Sequence, residues 1–232
     1  MRRGYSKTLT VILIIIIIAV IGLLAYLGYD MYFRYRTNKD GEAYVDSFTD
    51  GVFVENPDGE NTATTNVNPD TTNTTETIID SNISTDDSSS SSSSTKKRPM
   101  YKGFYTLGTI EIPKTGVKYP VLERVTKKSL ETAVAVAWPE NAELNKPGNV
   151  VISGHNYRNG IFFSNNKKLS KGDKIYITDL NKKRIAYTIY KIFETSDTDT
   201  KFYNRDTDGK REITLSTCTD DSSARLIIQA RE

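Results

Sequence analysis

The sequence predicts an all-β module of barrel or sandwich class, standing behind a single N-terminal transmembrane helix and a disordered linker. Three observations predict it. Between residues 8 and 27, 17 of 20 side chains are apolar and none is charged. Residues 40–99 are dominated by Ser, Thr, Asn, Asp and Gly, with seven consecutive serines at 88–94. From about Lys102 onward, short runs rich in β-branched and aromatic residues alternate with turn signals.

The helix comes first. Twenty residues at about 1.5 Å rise span the roughly 30 Å hydrocarbon core of a bilayer. A cleaved signal peptide usually carries only about 7–15 apolar residues and ends in small ones. Here the apolar stretch runs on into Tyr26, Tyr29, Tyr32, Phe33 and Tyr35, which suit an interfacial aromatic belt. The expectation is an uncleaved anchor over residues 8–28, with residues 1–7 as a short tail. Three Lys/Arg precede the span and three follow it closely, so the positive-inside rule does not decide orientation.

Residues 29–99 read as a juxtamembrane segment followed by a linker. Such composition buries too little apolar surface to offset the entropy of ordering, so disorder is expected. As a flexible chain, 60 or so residues span roughly 40 Å and would hold a folded head at a variable distance from the membrane.

The head, residues 100–232, shows strand-like runs at 108–112, 117–122, 149–153, 174–178, 184–194, 212–218 and 225–230. Short strands at this spacing argue for a barrel or sandwich. Helical turns are expected within 126–137 and 162–169. The segment from Asn204 to Gly209 copies the first half of an EF-hand loop, but Leu215 stands where the bidentate Glu is required. Asp208-Gly209 reads as a hairpin turn feeding the following strand.

Charge is sorted into blocks that the net total of +2 conceals. Residues 1–39 hold six Lys/Arg and one Asp; residues 40–95 hold twelve acidic residues and no Lys/Arg; residues 96–232 hold 25 basic and 16 acidic residues. A basic head suits an anionic polymer or membrane face. No nucleic-acid motif accompanies it, and a membrane anchor argues against that partner. One Cys and one His exclude an intrachain disulfide and a zinc site built from N/S ligands.

Those two residues are also the candidates for chemistry. His155 follows the apolar run Val150-Val151-Ile152, Cys218 ends the strand-like Ile213-Thr214-Leu215-Ser216-Thr217-Cys218, and Arg225 opens the next strand. Singly, each has an ordinary structural reading. Together they are the inventory of a thiol-based acyl transferase: a thiolate to attack, an imidazole to exchange protons, and a donor for the oxyanion. A non-catalytic, membrane-tethered module whose basic surface grips anionic cell-wall polymer is the alternative that composition leaves open.

Gly148-Asn149-Val150-Val151-Ile152-Ser153-Gly154-His155, followed 63 residues after the His by the Cys of Thr214-Leu215-Ser216-Thr217-Cys218, with Arg225 seven further on, resembles the sortase family of cysteine transpeptidases. Gly108-Thr109-Ile110-Glu111-Ile112-Pro113 and Lys171-Gly172-Asp173 add to the likeness, which covers about residues 104–231. The resemblance implies a closed eight-stranded β-barrel outside the cell, with the N-terminus cytoplasmic. It also implies cleavage of a C-terminal sorting signal, often of LPxTG type, on secreted proteins. Cys218 would form a thioacyl enzyme, which an amine from a peptidoglycan precursor or a pilin would resolve. His155 would donate and accept protons, Arg225 would stabilise the oxyanion, and Thr217 would contact substrate. No cofactor is implied, although some members bind calcium in the loop where Asp197, Asp199 and Asp206 lie. TLSTC resembles class B, but residues 195–210 are shorter than that class's helical insertion, so the class stays open.

Overall fold

The strand-like runs are realised as a closed barrel. In the computed structural model, which describes residues 2–50 and 98–232, the strands are β1 (Met100–Tyr101), β2 (Phe104–Ile112), β3 (Val117–Leu122), β4 (Val134–Trp138), β5 (Gly148–Ser153), β6 (Lys174–Asp179), β7 (Arg184–Thr195), β8 (Arg211–Cys218) and β9 (Arg225–Arg231). Their order is β1-β2-β3-β4-β5-β8-β9-β7-β6, and β6 pairs back onto β2. Strands β2 to β9 thus close an eight-stranded barrel, while the two-residue β1 extends it beside β2. Closure removes the open edges of the sheet.

Gly108 makes the closure possible. It sits at the register shift between β2 and β3 and also pairs with Asp179 of β6. A Cβ there would stand 2.1 Å from the Thr178 carbonyl oxygen, and its φ of +148° is unsuited to other residues.

Inward-facing residues of every long strand form the main core, among them Ile110, Val121, Ile152, Ile177, Leu215 and Ile228. A second, smaller cluster lies on the outer face. There Val151 of β5 and Ile227 of β9 are covered by Phe202 from the loop between β7 and β8.

Three expectations need correction. The helical turns expected within 126–137 are present as helix α2 (Lys127–Thr132), but the rest of the stretch is strand β4, which the runs read from the sequence left out. Thr126 caps α2 through a reciprocal capping box with Ser129. The residues from Ala133 to Val136 are all buried, so β4 shows no alternation to betray it. Asp208 and Gly209 do form a tight turn with positive φ, closed by Lys210 N–H donating to the Thr207 carbonyl. It is not a hairpin turn, because β8 lies between β5 and β9 and does not pair with β7.

The third correction is the largest. Helix α1 (Arg2–Asp50) runs through the apolar segment and continues over residues expected to be irregular. Residues 51–97, where the rest of the expected linker falls, lie outside the described residues. The second half of α1 docks on the barrel with Tyr44, Val45 and Phe48 buried. Gly41 allows the approach: a Cβ there would meet the Tyr119 ring at 2.5 Å. Tyr44 shares a 2.7 Å hydrogen bond with Thr106 and meets the Tyr101 ring edge-on. Lys118 reaches Asp46 at 2.5 Å, and Lys102 reaches Asp40 at 2.7 Å. Sequence reading missed a stripe at Gly41, Tyr44, Val45 and Phe48, whose spacing of three, four and seven marks one helix face.

Candidate active site

Sheet order brings the three candidate residues together. Strands β5 and β8 run parallel with Ser153 opposite Ser216. His155 and Cys218 each stand two residues past that pair, at the same end of neighbouring strands. Gly154 N–H extends the pairing by donating to the Ser216 carbonyl at 3.2 Å. Strands β8 and β9 run antiparallel with Cys218 directly opposite Arg225.

Alternation then sets the face. Ile213, Leu215, Ile228 and Ala230 point into the core, so Cys218 and Arg225 project from the outer face, as do their neighbours Ser216 and Ile227. The Arg225 guanidinium donates to the Cys218 sulfur, with Nη1 3.0 Å from Sγ. A guanidinium there can stabilise negative charge on the sulfur or on a nearby oxyanion. Cys218 is a free thiol and partly exposed, so its sulfur is open to a reactant.

His155 is half-buried, with its ring 4.8 Å from that of Tyr157. Burial holds its pKa below the ordinary imidazole value; the Arg225 charge pushes the same way and Glu131 opposes. A depressed pKa makes the imidazolium a stronger acid toward a leaving amine.

The loops that carry these residues are stapled to each other. Asn156 Nδ2 donates to the Cys218 carbonyl and to Asp220 Oδ1, both at 3.0 Å. Asp220 also pairs with Lys167, whose charge, with the Asn156 bond, holds its carboxyl below the usual range. Residues 219–224 turn tightly, with Thr219 N–H donating to the Ala224 carbonyl and Asp221 gathering Thr219 and Ser223. Those bonds hold Asp221 down to about 2. The turn returns the chain so that Arg225 faces Cys218. Sequence reasoning passed over Asn156, whose only signal is its place beside the unique His.

Thr217 points inward with Ile213 and Leu215 and is 2% exposed. Its hydroxyl is buried and has no hydrogen-bond partner among the described residues. The three Asp residues considered for calcium do not form a donor set. Among the described residues, no three His, Cys, Asp or Glu side chains gather at a metal-binding distance. Asp199 instead accepts from Thr195 and Lys201, and Asp206 from Asp208 N–H. A cleft of about 570 Å³ lies at the opposite ends of β5 and β8, between Trp138, Tyr203 and Arg205, away from Cys218.

A closed eight-stranded barrel thus sets Cys218, His155 and Arg225 at adjoining strand ends. Residues 110–232 match the family model described as "Sortase domain", and the chain belongs to the sortase family. Sortase A of Bacillus anthracis is 37% identical over 125 residues, covering 53% of this chain and 57% of that protein. Sortase A of Streptococcus agalactiae is 28% identical over 130 residues, or 51% of its length. The chain thus spans little more than half the length of these relatives. Among solved structures, a Clostridium perfringens Sortase D5 transpeptidase superposes with a TM-score of 0.50 at 34% identity, covering 55% of this chain and 78% of that one. A lid mutant of Corynebacterium diphtheriae Sortase A gives 0.51 at 26% identity, covering 60% and 73%.

Proposed function

We propose that this chain is a membrane-anchored cysteine transpeptidase that cuts a C-terminal sorting signal of LPxTG type from secreted proteins and joins them to an amine of the cell wall or of a pilin. The observation that carries the reading is the Arg225 guanidinium donating to the Cys218 sulfur at 3.0 Å, on the barrel end that also bears the chain's one His.

The Cys218 thiolate attacks the scissile carbonyl carbon, and the carbonyl oxygen takes the negative charge. Arg225 is placed to stabilise that oxyanion. Thr217, expected to contact substrate, faces the core on the other side of β8 from Cys218 and takes no part in these steps. As the C–N bond breaks, the His155 imidazolium gives its proton to the departing amine, leaving a thioester on Cys218. The incoming amine attacks the thioester and passes a proton to His155. The tetrahedral adduct then expels the thiolate and forms the new amide. These steps use protein side chains and the two substrates.

The anchor belongs to the same reading. Helix α1 is long and apolar enough to cross a membrane. With residues 1–7 cytoplasmic and 8–28 spanning, the catalytic head at residues 100–232 lies outside the cell. About 22 residues of α1 then project beyond the bilayer, roughly 33 Å at 1.5 Å per residue, and the barrel sits on them. The head is therefore seated close to the membrane surface.

The test is direct. The detergent-solubilised chain is incubated with a peptide bearing an LPxTG-type signal and an amine acceptor, and the protein is analysed by mass spectrometry. An acyl adduct on Cys218 and an amide product, both lost in Cys218→Ala, are expected. Transfer that persists in Cys218→Ala, or wild-type protein that never acylates, overturns the reading in favour of a basic binding module.

A further inference from the structure

The loop from Gly154 to Asn165 carries His155, yet it is irregular and holds a bulky residue in an unusual conformation. Phe162 has φ of +50°, which an aromatic L residue adopts only where its surroundings enforce it. Its N–H donates to the Tyr119 hydroxyl at 3.3 Å, and the two rings pack with centroids 5.1 Å apart. The Phe162 ring lies 6.0 Å from that of Tyr157, which in turn lies against His155. Phe163 N–H closes the loop by donating to the His155 carbonyl at 3.1 Å.

Helix α1 grips this arrangement at two points. The Tyr119 hydroxyl, which accepts from Phe162, donates to Asn38 Oδ1. Tyr119 is 2% exposed, and burial pushes its pKa up to about 12, so the hydroxyl keeps its proton and needs an acceptor. One turn earlier, Arg34 donates to the Asn159 carbonyl at 3.2 Å, while its other end pairs with Asp30 at 2.9 Å. Residues 34 and 38 do not owe their positions to the loop. The buried Tyr44, Val45 and Phe48 and the close approach at Gly41 seat the helix independently.

We infer that the juxtamembrane half of α1 is a positioning element of the active site, holding the His155 loop through Asn38 on Tyr119 and Arg34 on Asn159. The inference rests on the reading of His155 as the proton carrier. It makes the anchor helix part of the catalytic unit: the segment that emerges from the membrane also holds the loop that carries the imidazole. A helix that served only to add stability would not affect the ring's environment.

The composition supplies the assay, since the chain has one His and one Cys. Full-length protein in detergent micelles, labelled with ¹³C-histidine, gives a single imidazole signal to titrate. Around that ring stand Glu131 of α2, Arg225 of β9 and Tyr157 of its own loop. Loss of both grips in Asn38→Leu/Arg34→Met should broaden or split the His155 signal and move its pKa up toward the ordinary value. In the same variant kcat for transfer should fall about 3- to 10-fold, as expected for a misplaced catalytic group, with KM within twofold. Asn38→Asp alone, which keeps an acceptor for Tyr119, should retain the single signal. Arg34→Met alone, at a half-exposed site, serves if the double variant is poorly folded. An unchanged His155 titration with unchanged kcat in a folded variant overturns the inference. So does a fall in melting temperature with His155 and kcat untouched. Wild-type protein that forms no adduct on Cys218 refutes the transpeptidase reading instead, and the His155 signal still decides this one.

Discussion

Replacing Arg225 by Lys keeps a positive charge opposite Cys218 but removes the planar fork that places Nη1 3.0 Å from Sγ. The ammonium is a more compact, more strongly hydrated charge, so it cannot hold one donor on the sulfur while presenting another to the substrate carbonyl. Losing one preorganised donor to a developing oxyanion costs about 10²–10³ in kcat, or about 2.7–4 kcal/mol. Two assays on the unique thiol separate the roles. Single-turnover acylation by a sorting-signal peptide builds an oxyanion; alkylation by iodoacetamide needs only the thiolate. Acylation by Arg225→Lys should drop about 100-fold or more, and alkylation by about 10-fold or less. Equal losses in both would show that Arg225 serves the sulfur alone and would refute the oxyanion assignment. Losses below about threefold in both would remove Arg225 from the mechanism, since even one net hydrogen bond is worth about that much.

Three other outcomes follow from the same structure. Thr217→Val replaces a buried hydroxyl that has no hydrogen-bond partner among the described residues with a methyl group, on the face of β8 away from Cys218, so denaturant unfolding should show a gain of about 1 kcal/mol with acylation unchanged; a loss of stability or slowed acylation would contradict that placement. The folded-state pKa of His155 is depressed, so the stability it contributes is present above the unfolded value and is lost as pH falls through the folded one. Urea unfolding of wild type should therefore weaken more from pH 8 to pH 5 than that of His155→Gln, and parallel profiles would contradict the shift. Phe48→Ala removes a fully buried ring from the seat of α1, a loss of about 3–5 kcal/mol where the contact is intact. Hydrogen exchange should then accelerate across residues 38–50 while β5, β8 and β9 keep their protection, whereas uniform acceleration would mean that helix and barrel unfold as one.

The strands legible in the sequence are those whose β-branched and aromatic runs are bounded by turn residues. Strands β3, β5, β6, β7, β8 and β9 fall within about a residue of the expected runs. Strand β4 was hidden because Val134, Ala135 and Val136 directly follow α2 with no turn signal between them. The docked half of α1 was hidden for a different reason. Asp40, Glu42, Asp46 and Asp50 give that stretch the composition of the acidic linker, and the four apolar-face positions show only at helical spacing. Polar residues there proved to be ligands for Lys102 and Lys118 on the barrel.

Of the site, the chemical inventory was legible and its assembly was not. A unique Cys, a unique His and an Arg at strand ends could be named from residue identity, because nucleophilicity, basicity and donor geometry belong to the side chains themselves. Whether they meet depends on strand order. His155 and Cys218 are 63 residues apart and come together only because β8 pairs parallel with β5. Arg225 then faces Cys218 because β9 returns antiparallel in a register set by the 219–224 turn. Periodicity is a local property that each run of residues carries alone, whereas sheet order and the grip of α1 on the His155 loop are pairings between distant segments. Packing chose those pairings, as the arrangement that buries every strand's apolar face at once.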